Sequence, residues 1–118
     1  MATSEGVIAC HNIQEWKNQI ESSIASNKLV VVDFTASWCG PCRFMAPLFA
    51  EWARKFVDAI FLKVDVDELR EVAEEWRIEA MPTFLLLKEG KEVERIVGAK
   101  KDDVHKKITE HLALPVSA

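Results

Sequence analysis

The stretch LVVVDFTASWCGPCR, residues 29–43, carries the two patterns that decide the fold. Residues 29–34 form an almost continuous apolar run rich in valine, which is typical of a strand buried on both faces of a parallel sheet. Two of the chain's three cysteines, Cys39 and Cys42, follow this run and enclose a Gly-Pro pair. The stretch therefore predicts a central strand that delivers two thiols to the beginning of a helix.

The sequence on either side alternates between strand and helix patterns. A helix begins at Asn12, which can cap it with Glu15 three residues on, and Ile24 falls on its predicted apolar face. Asp67 is the predicted N-cap of a third helix. Residues 88–91 are too few for anything but an antiparallel hairpin connection. The predicted strands cover residues 7–10, 29–34, 60–66, 83–87 and 92–97, with helices after the first, second, third and fifth.

This order predicts an α/β fold whose early strands are parallel and whose last pair is antiparallel. The chain has 118 residues, the size of one domain, and we expect a single domain over residues 1–118. A net charge of -4 without a basic stripe makes nucleic acid and anionic membrane poor partners.

Residues 1–6 show neither a signal peptide nor an N-myristoylation pattern, so we expect a cytoplasmic protein. In a reducing compartment, cysteines are kept mainly for catalysis or for metal binding.

The Cys39/Cys42 pair allows three interpretations. A zinc site would need further ligands, which Cys10 and His11 could supply, but the intervening helix start does not suit such a site. A structural disulfide would close so small a ring that it adds little stability. A Cys-x-x-Cys pair beside a βαβ pattern is instead typical of redox chemistry, because a helix N-terminus favours a thiolate at Cys39 and Cys42 lies one turn further on.

Asp33 is the unusual residue of the apolar run. Burial favours the neutral carboxyl and raises its pKa, which makes Asp33 a proton donor and acceptor for the nearby thiols. An acid that reaches solvent at the strand end is the alternative. Lys63, in the neighbouring predicted strand, is either its partner cation or a surface lysine.

Three further positions bear on the site. Trp38 could shield Cys39 and form part of a docking surface. The Met81-Pro82 bond precedes a strand, where a cis peptide would expose the Met81 backbone to an extended peptide. Cys10 is expected to be a buried, inert thiol, with an intermolecular disulfide or a glutathione adduct as the alternatives.

Taken together, these motifs resemble the thioredoxin family. The resemblance covers nearly the whole chain, and several segments are similar to the cytosolic h-type thioredoxins of plants. The segments that carry it are residues 38–42, residues 31–34, Pro47, residues 81–84 and residues 97–99, with residues 7–11, 34–38 and 97–102 carrying the h-type likeness.

The resemblance implies a five-stranded central sheet flanked by four helices. It also implies that Cys39 attacks a target disulfide, that Cys42 resolves the intermediate and that Asp33 assists proton transfer, with Lys63 as the family's buried lysine. Pro82 would be cis. The implied substrate-binding positions are Trp38, Gly40, Pro41, Met81, Pro82, Gly98 and Ala99.

By the same resemblance the chain needs no bound cofactor or metal. Its electrons would come from NADPH through thioredoxin reductase, and its partners would be that reductase and disulfide-containing proteins. We expect a monomer, with a Cys10-linked dimer as the alternative. Three other functions stay open at this point: a disulfide isomerase, a glutaredoxin, and a binding module or holdase that works without turnover.

Overall fold

The computed structural model describes residues 6–113. Strands and helices alternate along these residues in the predicted order. The strands are β1 (Val7–Cys10), β2 (Leu29–Thr35), β3 (Ala59–Asp65), β4 (Thr83–Lys88) and β5 (Lys91–Val97), and the helices are α1 (Ile13–Ser26), α2 (Gly40–Lys55), α3 (Arg70–Glu75) and α4 (Lys101–Ala113). Of the helices in the described range, none has the length and apolar character needed to cross a membrane.

The strands form one mixed sheet in the order β1-β3-β2-β4-β5. β3 pairs in parallel with β1 and with β2. β4 is antiparallel to both β2 and β5. The predicted fold class, a five-stranded mixed sheet with four helices, is therefore confirmed.

β2 lies at the centre of the sheet, and every one of its residues is buried. Because side chains alternate along a strand, β2 supplies two separate cores. Val31 faces a core that includes Met45 and Phe49 of α2. Val32 faces the opposite core, which includes Trp16 of α1. Asp33 is two residues after Val31, so its side chain lies on the same face of the sheet, which α2 covers.

Helix α1 begins as the sequence predicts. The backbone N–H of Glu15 donates to Asn12 Oδ1 at 2.9 Å, and the Glu15 carboxylate in turn accepts from the backbone N–H of His11 at 2.7 Å. Ile24 lies at the predicted apolar face but is 47% exposed. The small side chain of Ser23 is the one buried near this end, where it donates to the Ile20 carbonyl.

Helix α3 differs from the prediction at its start. It begins at Arg70, its N-cap position is Leu69, and no side chain caps it, so the predicted Asp67 cap is wrong. The preceding turn is held by Asp65, whose Oδ1 accepts from the backbone N–H of Asp67 at 2.8 Å. The Asp67 side chain makes a different contact, described below.

The β4–β5 hairpin is tighter than the sequence suggested. The strands extend to Lys88 and Lys91, which pair with each other. Only Glu89 and Gly90 connect them, both with positive φ, as the favoured two-residue hairpin turn requires. A register irregularity between Leu86 and Leu87 accompanies the turn. At the other end of the hairpin, β4 begins directly after Pro82, beside the cysteines.

Candidate active site

The two cysteines lie where the central strand passes into α2. β2 ends at Thr35, a short turn follows, and α2 begins at Gly40 with Pro41 in its first turn. Cys39 is the N-cap residue, and its backbone is extended, with φ -92° and ψ 110°. The predicted delivery of the two thiols to the beginning of a helix is thus confirmed, and Cys39 lies beside the first free N–H groups of α2.

Cys39 and Cys42 are bonded to each other as a disulfide, with their Cα atoms 5.3 Å apart. The backbone N–H of Cys42 donates to Cys39 Sγ at 3.1 Å. A helix N-terminus stabilises negative charge, because its free N–H groups and dipole point at the capping atom. The same N–H would therefore stabilise a thiolate on Cys39 once the disulfide is reduced.

The surroundings of the pair are mostly apolar. Cys39 and Cys42 are buried together with Ala36, and Val66 and Met81 pack against them. Trp38 beside them is 64% exposed, and its indole N–H donates to the Oδ2 atom of a carboxylate 29 residues further on, that of Asp67, at 2.9 Å. Sequence reasoning missed this bond because it assigned that carboxylate to a helix cap, and no local pattern links two residues so far apart.

A second loop reaches the disulfide. The Met81-Pro82 peptide bond is cis, as the resemblance implied. The Met81 carbonyl oxygen lies 3.6 Å from Cys39 Sγ. The backbone N–H of Gly98 donates to the Pro82 carbonyl at 2.8 Å, which brings the end of β5 to the same place. Ala99 follows Gly98 and is exposed. The structure thus places Met81 beside Cys39 and joins Pro82 to Gly98.

Asp33 is buried, with only 2% of its surface exposed. Its Oδ1 atom makes no hydrogen bond to the described residues. Burial raises the pKa of Asp33 from 3.8 to about 7, and the positive charge of Lys63 opposes this rise. Of the two interpretations of Asp33, the structure supports the buried acid.

Lys63 lies next to Asp33 in the paired strands, since the two residues are register partners of β2 and β3. It is half-buried. A cavity of about 200 Å³ beside α2 has Lys63 and Cys42 among its lining residues. This volume is large enough for several waters, given about 30 Å³ for each. Water in this cavity would lie between Cys42 and Lys63, the register partner of Asp33, while Asp33 itself does not line the cavity.

Cys10 is apart from this site, at the end of β1 on the sheet edge. It is free and 1% exposed, which confirms the expected burial. Burial, assisted by the negative charge of Glu15, raises the pKa of its thiol to about 11. Such a thiol stays protonated near neutral pH and is a poor nucleophile. Across residues 6–113, no group of three or more His, Cys, Asp or Glu side chains is arranged to hold a metal ion.

Replacing the buried acid should give a gain in stability over the wild type that grows as the pH rises. The pKa of Asp33 is about 7 in the folded chain against 3.8 for the ordinary group, so ionisation costs folded-state stability progressively between about pH 4 and pH 7. A rise of this size in the pKa lowers the free energy of unfolding by about 4 kcal/mol at most once the acid is ionised. We therefore expect the stability advantage of Asp33→Asn over the wild type, measured by urea unfolding, to be larger at pH 8 than at pH 4.

The control is Asp58→Asn, which removes an exposed carboxyl and should show no such pH-dependent gain. A stability difference between Asp33→Asn and the wild type that stays constant from pH 4 to pH 8 would contradict the burial argument. So would a variant that is less stable than the wild type at pH 8.

Known proteins share both this fold and this sequence. The Thioredoxin family model matches residues 7–110. Thioredoxin H1 of Arabidopsis thaliana is 58% identical over 114 residues, which cover 96% of this chain and 100% of that protein. The H-type thioredoxin of Fagopyrum esculentum is 55% identical over 118 residues, with 100% of both chains covered.

Solved structures agree with these relatives. The crystal structure of a thioredoxin from Nicotiana alata has a TM-score of 0.88 and 53% sequence identity, covering 94% of this chain and 96% of that one. A poplar thioredoxin h has a TM-score of 0.90 and 36% identity, covering 93% and 99%. Because sequence, fold and the disulfide at the start of α2 all agree, the chain belongs to the thioredoxin family, with the plant h-type thioredoxins as its relatives, and is a thiol-disulfide oxidoreductase that reduces protein disulfides.

Proposed function

We propose that the chain reduces its targets through Cys39 and Cys42 and is itself reduced by thioredoxin reductase with electrons from NADPH. The observation that carries this proposal is the disulfide at the N-terminus of α2, with Cys39 Sγ at the capping position and the Met81 carbonyl oxygen 3.6 Å away. A sulfur in that position combines a stabilised thiolate with a backbone edge to which a target can bind.

Cys39 is the nucleophile of the proposed reaction. Its thiolate attacks one sulfur of the target disulfide, the target S–S bond breaks, and the other target sulfur leaves as a thiolate. Cys39 and the target are then joined by a mixed disulfide. The N–H of Cys42 that now points at Cys39 Sγ at 3.1 Å is the group that stabilises the attacking thiolate in this step.

Cys42 is the resolving cysteine. It loses its proton, attacks Cys39 Sγ and displaces the second target sulfur as a thiolate. The Cys39–Cys42 disulfide forms, and two electrons have passed to the target. Since the pKa of Asp33 is about 7, this residue can take up and return a proton near neutral pH. Its register partner Lys63 lines a cavity together with Cys42, so water there would form only the Cys42 side of the proton route. Lys63 modulates the acid by favouring its ionised form.

The target segment binds in an extended conformation along the surface around the disulfide. The backbone of Met81 is available for pairing with the target. The cis Met81-Pro82 bond follows, and β4 begins directly after Pro82. Such backbone pairing is independent of the target's side chains, which suits a reductase with several protein targets. The remaining positions that we propose for this surface are Trp38, Gly40, Pro41, Gly98 and Ala99.

We further propose a single domain over residues 1–118, with no cofactor of its own and with cytoplasmic localisation. Residues 1–5 and 114–118 of that range lie outside the described residues. A monomer is proposed because Cys10 is buried and its thiol pKa is raised to about 11, which disfavours a Cys10-linked dimer.

Exchange of the electron donor tests the proposed pathway. We expect rapid NADPH oxidation when the chain is combined with thioredoxin reductase and a protein disulfide such as insulin, since both steps then have their partners. The matched assay replaces thioredoxin reductase with glutathione and glutathione reductase. Turnover with glutathione alone would contradict the proposal and indicate glutaredoxin activity.

Trapping of the mixed disulfide tests the two cysteine roles. Cys42→Ser leaves the nucleophile but removes the resolving thiol, so we expect a covalent adduct between Cys39 and a target that survives denaturation and disappears with dithiothreitol. Mass spectrometry of the adduct identifies the cysteine that carries it.

Cys39→Ser is the matched control and should form no adduct. An adduct on Cys42 in that variant, formed as fast as the Cys39 adduct, would contradict the assignment of roles. Noncovalent target binding that both variants retain without any adduct would instead indicate the binding module.

A further inference from the structure

Helix α3 is completed at its C-terminus by a residue from another element. The last carbonyl groups of a helix lack intrahelical donors and attract cations, and the last turn of α3 contains no basic residue. Arg95 of β5 reaches this end: its Nη2 donates to the Trp76 carbonyl at 2.7 Å and its Nη1 to the Arg77 carbonyl at 3.3 Å. The guanidinium therefore fixes the point at which the chain leaves α3.

Glu92 holds the guanidinium in place. The Nε and Nη2 groups of Arg95 donate to the two carboxylate oxygens of Glu92 at 3.0 and 2.9 Å. A bidentate pair of this kind restricts the plane of the guanidinium, which a single contact would not do. Two backbone carbonyls at the end of α3 and one carboxylate thus share a single oriented side chain.

The segment that leaves α3 here is the one that ends at the disulfide. It runs from Trp76 to Pro82, and near its end the Met81 carbonyl oxygen lies 3.6 Å from Cys39 Sγ. Gly98, three residues after Arg95, donates its backbone N–H to the Pro82 carbonyl at 2.8 Å. β5 and the residue that follows it therefore hold both ends of this segment, the first end through Arg95 and the second through Gly98.

We propose that Arg95, oriented by Glu92, is a positioning residue for target binding: by fixing the start of residues 76–82 it sets the placement of the Met81 backbone beside Cys39. Arg95 acts through this segment rather than by contact with the reacting sulfurs. This inference rests on the proposed pairing of targets with Met81. Loss of Arg95 should therefore slow the reduction of protein disulfides only, because a small disulfide without a peptide backbone does not depend on the placement of Met81.

The test compares two disulfides with one set of variants. Each variant is reduced with dithiothreitol, desalted and mixed with insulin or with 5,5′-dithiobis(2-nitrobenzoate), and second-order rate constants are measured. For Arg95→Gln we expect the insulin rate constant to fall roughly fivefold, equivalent to about 1 kcal/mol of lost preorganisation, with the small-disulfide rate constant unchanged. Arg95→Lys keeps the charge but cannot form the bidentate contact with Glu92 while reaching both carbonyls, so it should recover only a small part of the loss.

Lys88→Gln is the matched control. Lys88 also donates to a carbonyl at the end of a helix, that of Asn27 at 2.6 Å, but this end belongs to α1. Lys88 lies at the opposite end of β4 from Thr83, about 17 Å away at the usual rise of a strand. Both rate constants should stay unchanged in this variant.

Three results would overturn the proposal: an equal fall with both disulfides, a fall of the insulin rate constant in Lys88→Gln as large as in Arg95→Gln, or an unchanged insulin rate constant in Arg95→Gln. A wild-type protein that reacts with the small disulfide and not with insulin would overturn the proposed function itself. Because no reductase is present, failure of the NADPH pathway does not affect the outcome.

Discussion

The contact between the Cys42 N–H and Cys39 Sγ is the interaction on which the rest of the site depends. It exists because α2 begins immediately after Cys39, so that the first free N–H groups of the helix point at the sulfur. This placement of Cys39 at the start of α2 requires the central position of β2. A strand that is buried along its whole length holds the following turn, and with it the nucleophile, at a fixed edge of the sheet.

Asp33 shows how the same strand is adapted to chemistry. Its carboxyl lies among residues that are otherwise apolar, and burial raises its pKa to about 7 against the opposing charge of Lys63. A valine at this position would pack without that cost. The acid thus lowers the stability of the fold at neutral pH, but it supplies a proton acceptor close to the pH at which Cys42 must be deprotonated.

The sequence predicts most of this architecture, because local patterns determine most of it. The valine-rich run predicts β2, the spacing of apolar residues predicts the helices, and Asn12 with Glu15 predicts the start of α1.

The predictions that failed depend on contacts between distant residues. Asp67 looks like a helix cap until its bond to Trp38 is seen, and nothing adjacent to Arg95 in the sequence indicates that it reaches the end of α3. Ile24 fits the helical pattern, yet it is 47% exposed while the neighbouring Ser23 is buried. Which partner a side chain finds across the fold is set by the packing of whole elements, and a local pattern carries no information about it.

The reactivity of the three thiols tests the central claim most directly. The fully reduced protein is treated with limiting iodoacetamide between pH 5 and pH 9, and the modified cysteines are located by mass spectrometry. If the start of α2 stabilises the Cys39 thiolate, Cys39 reacts first and already below the ordinary cysteine pKa of about 8.5, while Cys42 and Cys10 stay unmodified. Modification of Cys42 or Cys10 at the same rate, or a Cys39 rate that rises only above about pH 8.5, would contradict the account.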